Sequence, residues 1–191
     1  MNNLPPVDPA QATGKTKQLF DAVKSKIGMV PNTLRIIGNS AAALEGYLSL
    51  GSAVGASTLP LKIREQIFLA ISETNGCSYC LSAHSLTGHR AGLSRDDIIH
   101  ARQGSGTDEK ADAAVKFARK VSEERGKVDA SDLEAVRKAG FTDAEIVEII
   151  ASVILITYTN YANNAFDPVI DFPVVLPGVF AQEAKATAGA T

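Results

Sequence analysis

Apolar positions recur at helical spacing along most of this chain. Residues 15–28 place apolar side chains on one stripe that ends at Gly28, as expected of an amphipathic helix closed by a glycine. After a turn at 30–32, the pattern over 32–55 predicts a short helix and then a longer, glycine-interrupted one. A further helix is predicted over 57–76, where an early proline marks the start and Asn-Gly marks the end.

Capping signals punctuate the second half of the chain. A helix is expected to begin at or just before Cys77 and to run to about Arg90. Three later segments each show a hydroxyl residue followed three positions on by an acid, which is the spacing of a capping box. We interpret the similarity as one helix–helix connection used repeatedly rather than as an internal repeat. The predicted pairs are Ser94 with Asp97, Thr142 with Glu145, and Ser131 with Glu134.

The remaining pattern predicts a single all-α domain. Residues 108–126 form an amphipathic helix, and the apolar run at 146–158 predicts a buried helix that is too short to span a bilayer. From Asp167 onward, prolines end regular helix. We therefore expect one domain over 15–177, with an N-terminal extension at 1–14 and a flexible C-terminal tail at 178–191.

Composition and charge narrow the function classes. Hydrophobic residues make up 45% of the chain, charged residues 21%, and the net charge is −2. This is an ordinary globular composition without a basic patch, so neither nucleic acid nor a membrane surface is an expected partner. The N-terminus shows no secretory signal, so we expect a cytoplasmic protein in which a close cysteine pair is catalytic or metal-binding.

Both cysteines of the chain lie in one short stretch, together with a histidine. Cys77, Cys80 and His84 have the spacing i, i+3, i+7, which places them on one helix face. The break at Gly76 is expected to put Cys77 in the exposed first helical turn, where backbone amides and the helix dipole stabilise a thiolate. Cys80 follows one turn later, with His84 able to hold its proton. The spacing therefore offers a thiol that attacks peroxide, a second thiol that resolves the product, and a base.

An acid on the preceding helix is a candidate partner for the histidine. Glu65 lies on or beside an apolar helix face, where an unpaired carboxylate is costly. If the two helices form a hairpin, Glu65 can contact His84 and orient its ring. The alternative is a surface acid that pairs with Lys62 or Arg64.

Three other interpretations of the cysteine motif stay open. The cysteines can be two small buried apolar side chains, or, with His84 and Glu65, they can form a zinc site. The usual structural zinc sites draw ligands from two separated pairs, and this chain has no second pair, so redox chemistry is favoured over metal. The pair can also be a redox-responsive or structural element of an oligomer, with little catalytic rate.

A polar stripe crosses the last predicted helix. Its members have offsets of about one helical turn on an otherwise apolar helix, and they are Thr157, Asn160, Asn164 and Asp167. Capping and subunit contacts are the favoured interpretation. The functional alternative is a hydrogen-bonded support for Glu65 and His84, with Asn160 and Asn164 as the supporting candidates.

The motif resembles a known family. Glu65, eleven residues, Cys77-Ser78-Tyr79-Cys80 and then His84 is similar to the pattern of AhpD-like alkylhydroperoxidases, within the carboxymuconolactone decarboxylase superfamily. The surrounding "GCSYCLSAHS" is typical of peroxidase-related members. More loosely, the resemblance covers residues 15–176.

The resemblance implies a fold and an activity. It implies an all-helical domain packed around the Cys-x-x-Cys helix, a homo-oligomer (trimer or hexamer), and thiol peroxidase activity without a metal or other cofactor. In that mechanism Cys80 attacks hydrogen peroxide or an organic hydroperoxide, activated by a relay through His84 and Glu65. Cys77 then resolves the sulfenic acid, and a dithiol reductant or carrier protein restores the pair.

The resemblance has one departure. The best-known members have a histidine between the cysteines, where this chain has Tyr79. A tyrosine can donate a hydrogen bond but does not act as a base near neutral pH, so Tyr79 is at most a supporting residue. Lactone decarboxylation is disfavoured, because members with that activity usually lack the paired cysteines.

Overall fold

The computed structural model describes residues 4–180, and over that range it consists of helices without a β-strand. The all-α prediction is therefore confirmed. The helices are α1 (Gly14–Ile27), α2 (Asn32–Ile37), α3 (Ala41–Gly55), α4 (Leu61–Thr74), α5 (Ser78–Arg90), α6 (Arg95–Arg102), α7 (Glu109–Glu123), α8 (Ala130–Lys138) and α9 (Asp143–Phe166).

Helix α4 lies at the centre of the domain. It packs against α5, α6, α7 and α9, and its residues 65–72 are all buried. Ile67, Leu69 and Ile71 have no exposed surface although they point to different sides of the helix. A helix that is buried all round needs neighbours on every side, and this arrangement fixes the position of α5 and its cysteines.

The capping predictions were right at two helix starts and wrong at the third. Capping boxes are present at Ser94, before α6, and at Thr142, before α9. Helix α8 instead begins after Asp129, whose carboxylate accepts the N–H groups of Ser131 at 2.9 Å and Asp132 at 3.1 Å. Because Asp129 caps the helix first, Ser131 lies inside the first turn and the predicted pair with Glu134 is not formed.

Helix α9 is longer than the predicted apolar run and is buried on one face only. Val147, Ile154 and Tyr161 are 65%, 55% and 63% exposed, while the opposite face packs against α4. The predicted helix is therefore present and buries one face, whereas its other face is exposed because α9 lies at the outside of the bundle. By length and composition alone α9 could cross a membrane, a property that core helices of soluble proteins share.

The segments at both ends of the domain are fastened to it. In the N-terminal extension, Val7 exchanges two hydrogen bonds of 3.0 Å with Arg35. Beyond α9, residues 167–180 form a non-helical segment that we call the strap. The strap crosses α5, where the Val175 N–H donates to Ser82 Oγ at 2.9 Å. Of the predicted flexible tail at 178–191, residues 178–180 belong to the strap. The rest of that tail, residues 181–191, lies outside the residues that the structure describes.

Candidate dithiol site

A tight turn between α4 and α5 delivers the first cysteine. Gly76 has φ of 63°, a left-handed conformation that a residue with a Cβ adopts only with strain. The next N–H, that of Cys77, donates to Ser72 O at 2.9 Å and holds the turn against the end of α4. Cys77 is the N-cap of α5, and its sulfur accepts the Cys80 N–H at 3.2 Å.

This position differs from the predicted one. Cys77 was expected inside an exposed first turn as a stabilised thiolate, but it is only 1% exposed and precedes the helix. The turn through Gly76 directs the side chain toward α9 rather than toward solvent. The Cys77 sulfur therefore accepts one backbone N–H, that of Cys80, whereas several unpaired N–H groups were expected to stabilise a thiolate there.

The two cysteines form a buried pair. Neither is in a disulfide, and they approach each other to 2.7 Å. Asn163 on α9 reaches both of them, with Nδ2 at 3.2 Å from Cys80 Sγ and 3.9 Å from Cys77 Sγ. The Cys80 thiol also approaches Thr159 Oγ1 at 3.9 Å. The pair is thus enclosed by its own helix and by polar side chains of α9.

The surroundings favour a thiolate on Cys80. Burial opposes its ionisation, but the hydrogen bond from Cys77, the charge of His84 and the amides of Asn163 and Asn160 lower the Cys80 pKa to about 6. The hydrogen bond to Cys80, together with burial, raises the pKa of Cys77 above the ordinary thiol value. One negative charge is therefore accommodated, on Cys80, while Cys77 keeps its proton.

The expected contact between Glu65 and His84 is present. Glu65 on α4 is 7% exposed, and its Oε2 lies 2.9 Å from His84 Nδ1 and accepts the Thr87 hydroxyl at 2.7 Å. Because Nδ1 is occupied by the carboxylate, Nε2 is the ring nitrogen left for chemistry. The ring also packs against Phe68, with centroids 4.8 Å apart.

Charge coupling links the acid, the imidazole and the thiol. Burial opposes ionisation of Glu65, but the charge and hydrogen bond of His84 and the Thr87 hydroxyl lower its pKa. Burial disfavours the imidazolium form of His84, but the negative charges of Glu65 and Cys80 raise its pKa. The arrangement favours an imidazolium beside a thiolate, the combination found in activated cysteine nucleophiles.

Cys80 and His84 open on a shared cavity. This dithiol cavity has a volume of about 280 Å³, and its other walls are mainly apolar. Leu34 and Tyr47 line one side, and Phe172 of the strap lines another. The cavity therefore offers a small, mainly apolar approach to Cys80 and His84.

The hydroxyl of Tyr79 forms hydrogen bonds with the strap and with α2 rather than with the sulfur atoms. Its hydroxyl donates to Asp171 of the strap and accepts the Thr33 N–H at 3.3 Å. Burial and the Asp171 carboxylate raise its pKa. Asp171 also accepts two hydrogen bonds of 2.8 Å from Asn32, so the strap, α2 and α5 meet at this carboxylate. Tyr79 thereby helps to place the strap wall of the dithiol cavity.

The two candidate supporting asparagines divide their roles. Asn160 is buried, donates to Ser72 Oγ at 3.1 Å and accepts from Asn75 Nδ2 at 2.9 Å, next to the cysteine turn. Asn164 is exposed and donates to Asn75 O at 2.7 Å. Both asparagines therefore tie α9 to the turn before Cys77. Of the other stripe members, Asp167 adopts a left-handed conformation that ends α9.

The sequence interpretation missed two residues of the site. Asn163, the donor to both sulfurs, lies one position off the predicted stripe, and Thr87 is the second partner of Glu65. The signal for Asn163 was available in the pair Asn160 and Asn163, since polar residues three apart on an apolar helix share a face. Thr87 had its own signal, because it follows His84 by three positions on α5.

Among residues 4–180, no group of three or more His, Cys, Asp and Glu side chains is placed to hold an ion. His89 Nδ1 faces Leu93 O at 3.3 Å, and His100 Nδ1 faces Ser105 Oγ at 3.2 Å, so neither extends the dithiol site.

The region around the cysteine motif is similar to a known protein family. Residues 41–124, which include the cysteine motif, match the model of the carboxymuconolactone decarboxylase family. A search of curated proteins gave no significant match.

Solved structures share the fold over nearly the whole chain. A peroxidase-related protein with an alkylhydroperoxidase AhpD core, from Ralstonia eutropha JMP134, superposes with a TM-score of 0.79 at 22% identity, covering 89% of this chain and 92% of its own. A peroxidase-related protein from Silicibacter sp. TM1040 gives 0.76 at 24% identity, with 93% and 94% coverage. The apo debrominase Bmp8 gives 0.76 at 20% identity, with 96% and 98% coverage.

Proposed function

We propose that this chain is an AhpD-like member of the carboxymuconolactone decarboxylase superfamily and a thiol-dependent peroxidase, because residues 41–124 match that family's model and the fold is shared with a protein that has an AhpD core. The observation that carries the proposal is the position of Cys80, beside Cys77, 3.2 Å from Asn163 Nδ2 and on the wall of a cavity that it shares with His84. These surroundings lower the Cys80 pKa to about 6, which favours the thiolate.

The proposed reaction has three steps. The Cys80 thiolate attacks the terminal oxygen of a hydroperoxide, the O–O bond breaks, and Cys80 becomes a sulfenic acid while the leaving alkoxide takes a proton from His84. The Cys77 thiol then attacks the Cys80 sulfur, which forms a disulfide and releases water. An external dithiol, free or on a carrier protein, reduces the disulfide and is itself oxidised.

Each polar residue has a defined role in this proposal. Glu65 orients His84 and stabilises its charged form, which keeps a proton ready for the alkoxide. Asn163 stabilises the Cys80 thiolate by direct hydrogen bonding. The proposal includes a cytoplasmic homo-oligomer, trimer or hexamer, which the apolar outer face of α9 would suit.

A thiol titration tests the proposal. Native protein should present two titratable thiols, lose both after one equivalent of peroxide, and regain both with a dithiol. Cys80→Ser should abolish peroxide consumption, and Cys77→Ser should allow one turnover and then stall as the sulfenic acid. Turnover by both single variants at the parent rate would refute the mechanism. A large change of oligomer size between reduced and oxidised protein, with negligible turnover, would instead favour a redox switch.

A second candidate is reductive dehalogenation of a small aromatic ring. A structure of Bmp8 in which one cysteine is replaced by alanine holds 2,3,4-tribromopyrrole, and the dithiol cavity of this chain has aromatic walls at Tyr47 and Phe172. The dithiol would supply two electrons, so that the carbon–bromine bond is replaced by carbon–hydrogen, bromide leaves, and the pair becomes a disulfide. Release of bromide from tribromopyrrole that depends on Cys80 would support this candidate.

A further inference from the structure

Most hydroxyl groups on the walls of the dithiol cavity already have a partner. Within the described residues, the cavity is lined by the hydroxyl side chains Thr33, Tyr47, Tyr79, Thr87 and Thr159. Tyr79 donates to the strap, and Thr87 donates to the Glu65 carboxylate at 2.7 Å. Thr159 donates to a backbone carbonyl of α9 at 3.0 Å. The hydroxyls of Thr33 and Tyr47 are therefore the two that are left for a molecule in the cavity.

Of these two hydroxyls, that of Thr33 is out of reach. Its Oγ1 atom has no hydrogen-bond partner within residues 4–180 and has essentially no exposed surface. A molecule in the dithiol cavity would therefore meet other atoms of Thr33. This leaves the Tyr47 hydroxyl as the free donor on this wall.

The ring of Tyr47 is held in place while its hydroxyl stays free. The ring stacks on Tyr158 of α9, with centroids 5.8 Å apart and planes 19° apart. The side chain is partly exposed, and among residues 4–180 its hydroxyl has no hydrogen-bond partner. Burial and then the negative charge of Cys80 raise the pKa of Tyr47 to about 12. The phenol therefore keeps its proton at neutral pH and lies within range of the Cys80 charge.

The Cys80 sulfur itself does not need this donor. It already receives the Asn163 amide at 3.2 Å, and burial beside Cys77 encloses it further. A free phenol beside a thiolate that already has donors is suited to an oxygen atom of the molecule that the thiolate attacks.

We propose that Tyr47 is a catalytic residue whose hydroxyl donates a hydrogen bond to the substrate oxygen that departs when Cys80 attacks. This inference rests on the proposed peroxidase function and adds a residue to it. The Cys80 sulfur bonds to the terminal oxygen, the O–O bond breaks, and the departing oxygen keeps the electron pair. His84 supplies the proton that neutralises this oxygen, whereas Tyr47 keeps its own proton and stabilises the developing charge.

The first test removes the hydroxyl and keeps the stacked ring. Sulfenic acid formation by Tyr47→Phe is followed by stopped flow in a Cys77→Ser background, with hydrogen peroxide as substrate. We expect the second-order rate constant to fall by at least about tenfold, because loss of one donor to a developing oxyanion costs about a hundredfold or more in other enzymes. Tyr158→Phe is the matched control. It removes the other hydroxyl of the stacked pair, at a 41% exposed position, and should keep the parent rate.

A change of reagent separates a bond to the departing oxygen from a structural role. Peracetic acid releases acetate, which is stable without a donor, so Tyr47→Phe should slow its reaction by less than about twofold. Alkylation of Cys80 by iodoacetamide, in which no oxygen departs, should keep the parent rate. An equal loss with hydrogen peroxide, peracetic acid and iodoacetamide would overturn the proposal, because Tyr47 would then act only through the structure of the site.

The same measurements distinguish this inference from the peroxidase proposal. If the parent forms sulfenic acid and Tyr47→Phe does so at the same rate, the role of Tyr47 is refuted and the peroxidase proposal stands. If iodoacetamide alkylates Cys80 but hydrogen peroxide does not oxidise it, the peroxidase proposal is refuted and this inference falls with it. Equal losses in Tyr158→Phe and Tyr47→Phe would assign the effect to the ring pair, which also contradicts a role for the hydroxyl.

Discussion

Asn163→Leu removes the amide donor to Cys80 and keeps the branched outline of the asparagine side chain. The Nδ2 atom lies 3.2 Å from Cys80 Sγ, and a hydrogen bond to a charged group is worth about 1.5–3 kcal/mol. At about 1.4 kcal/mol per pKa unit, its loss should raise the Cys80 pKa from about 6 to about 7–8. The thiolate fraction at neutral pH would then fall from about nine-tenths to between about a half and a tenth.

The rate at neutral pH is a poor readout of this change. A thiolate of higher pKa is intrinsically more nucleophilic, with a Brønsted slope of about 0.4–0.5. For a rise of about 1–2 pKa units, this gain is about three- to eightfold and nearly cancels the loss of thiolate. The rate in neutral solution should therefore hardly change, whereas the midpoint of the pH profile should move.

The assay follows the thiolate directly. Thiolate ultraviolet absorbance and the iodoacetamide alkylation rate are measured against pH, in a Cys77→Ser background that leaves one thiol. Asn164→Ala, at the next position of α9 and out of contact with the sulfur atoms, is the matched control and should keep the parent midpoint. An unchanged midpoint in Asn163→Leu, with the protein folded by circular dichroism, would refute the hydrogen-bond explanation of the low pKa.

The relay, the thiolate and the strap can each be tested by one further measurement. Glu65→Gln should slow sulfenic acid formation by at least about tenfold in stopped-flow measurements, because His84 loses its orienting charge; an unaffected rate would remove the relay. The depressed Cys80 pKa stabilises the fold above the ordinary thiol value near 8.5, and this stabilisation is lost as pH falls through about 6. Denaturant titrations should therefore show a stability difference between the parent and Cys80→Ser that grows from about pH 6 to 8.5, whereas a constant difference would contradict the assignment. Tyr79→Phe should cost about 1–2 kcal/mol and speed limited proteolysis of residues 167–180, because Asp171 loses a buried donor; equal proteolysis rates would show that the strap is held elsewhere.

The sequence predicted the contacts that depend on helical spacing. Cys80 and His84 lie on one helix face, and a helix hairpin was enough to bring Glu65 to His84. The capping boxes at Ser94 and Thr142 were equally local, since each needs only four consecutive residues. Such contacts follow from helix geometry and need no knowledge of how distant segments pack.

Contacts that depend on the rotation of α9 about its axis were harder to predict from the sequence. A rotation of about 100° separates Asn163 from Asn164, and only packing against α4 and α5 decides which of them faces the sulfur atoms. The burial of Cys77 likewise depends on the turn through Gly76. The strap contact between Tyr79 and Asp171 spans most of the chain and has no periodic signature.

The sulfur of Cys77 is both the acceptor that caps α5 and the thiol proposed to close the disulfide. Each catalytic cycle would therefore change the bonding of the atom that caps α5, because the same sulfur alternates between a thiol and a disulfide. The residue that replaces Cys77 in a variant therefore matters for the stability of α5. Serine keeps an oxygen that can cap the helix, whereas alanine removes both the cap and the thiol.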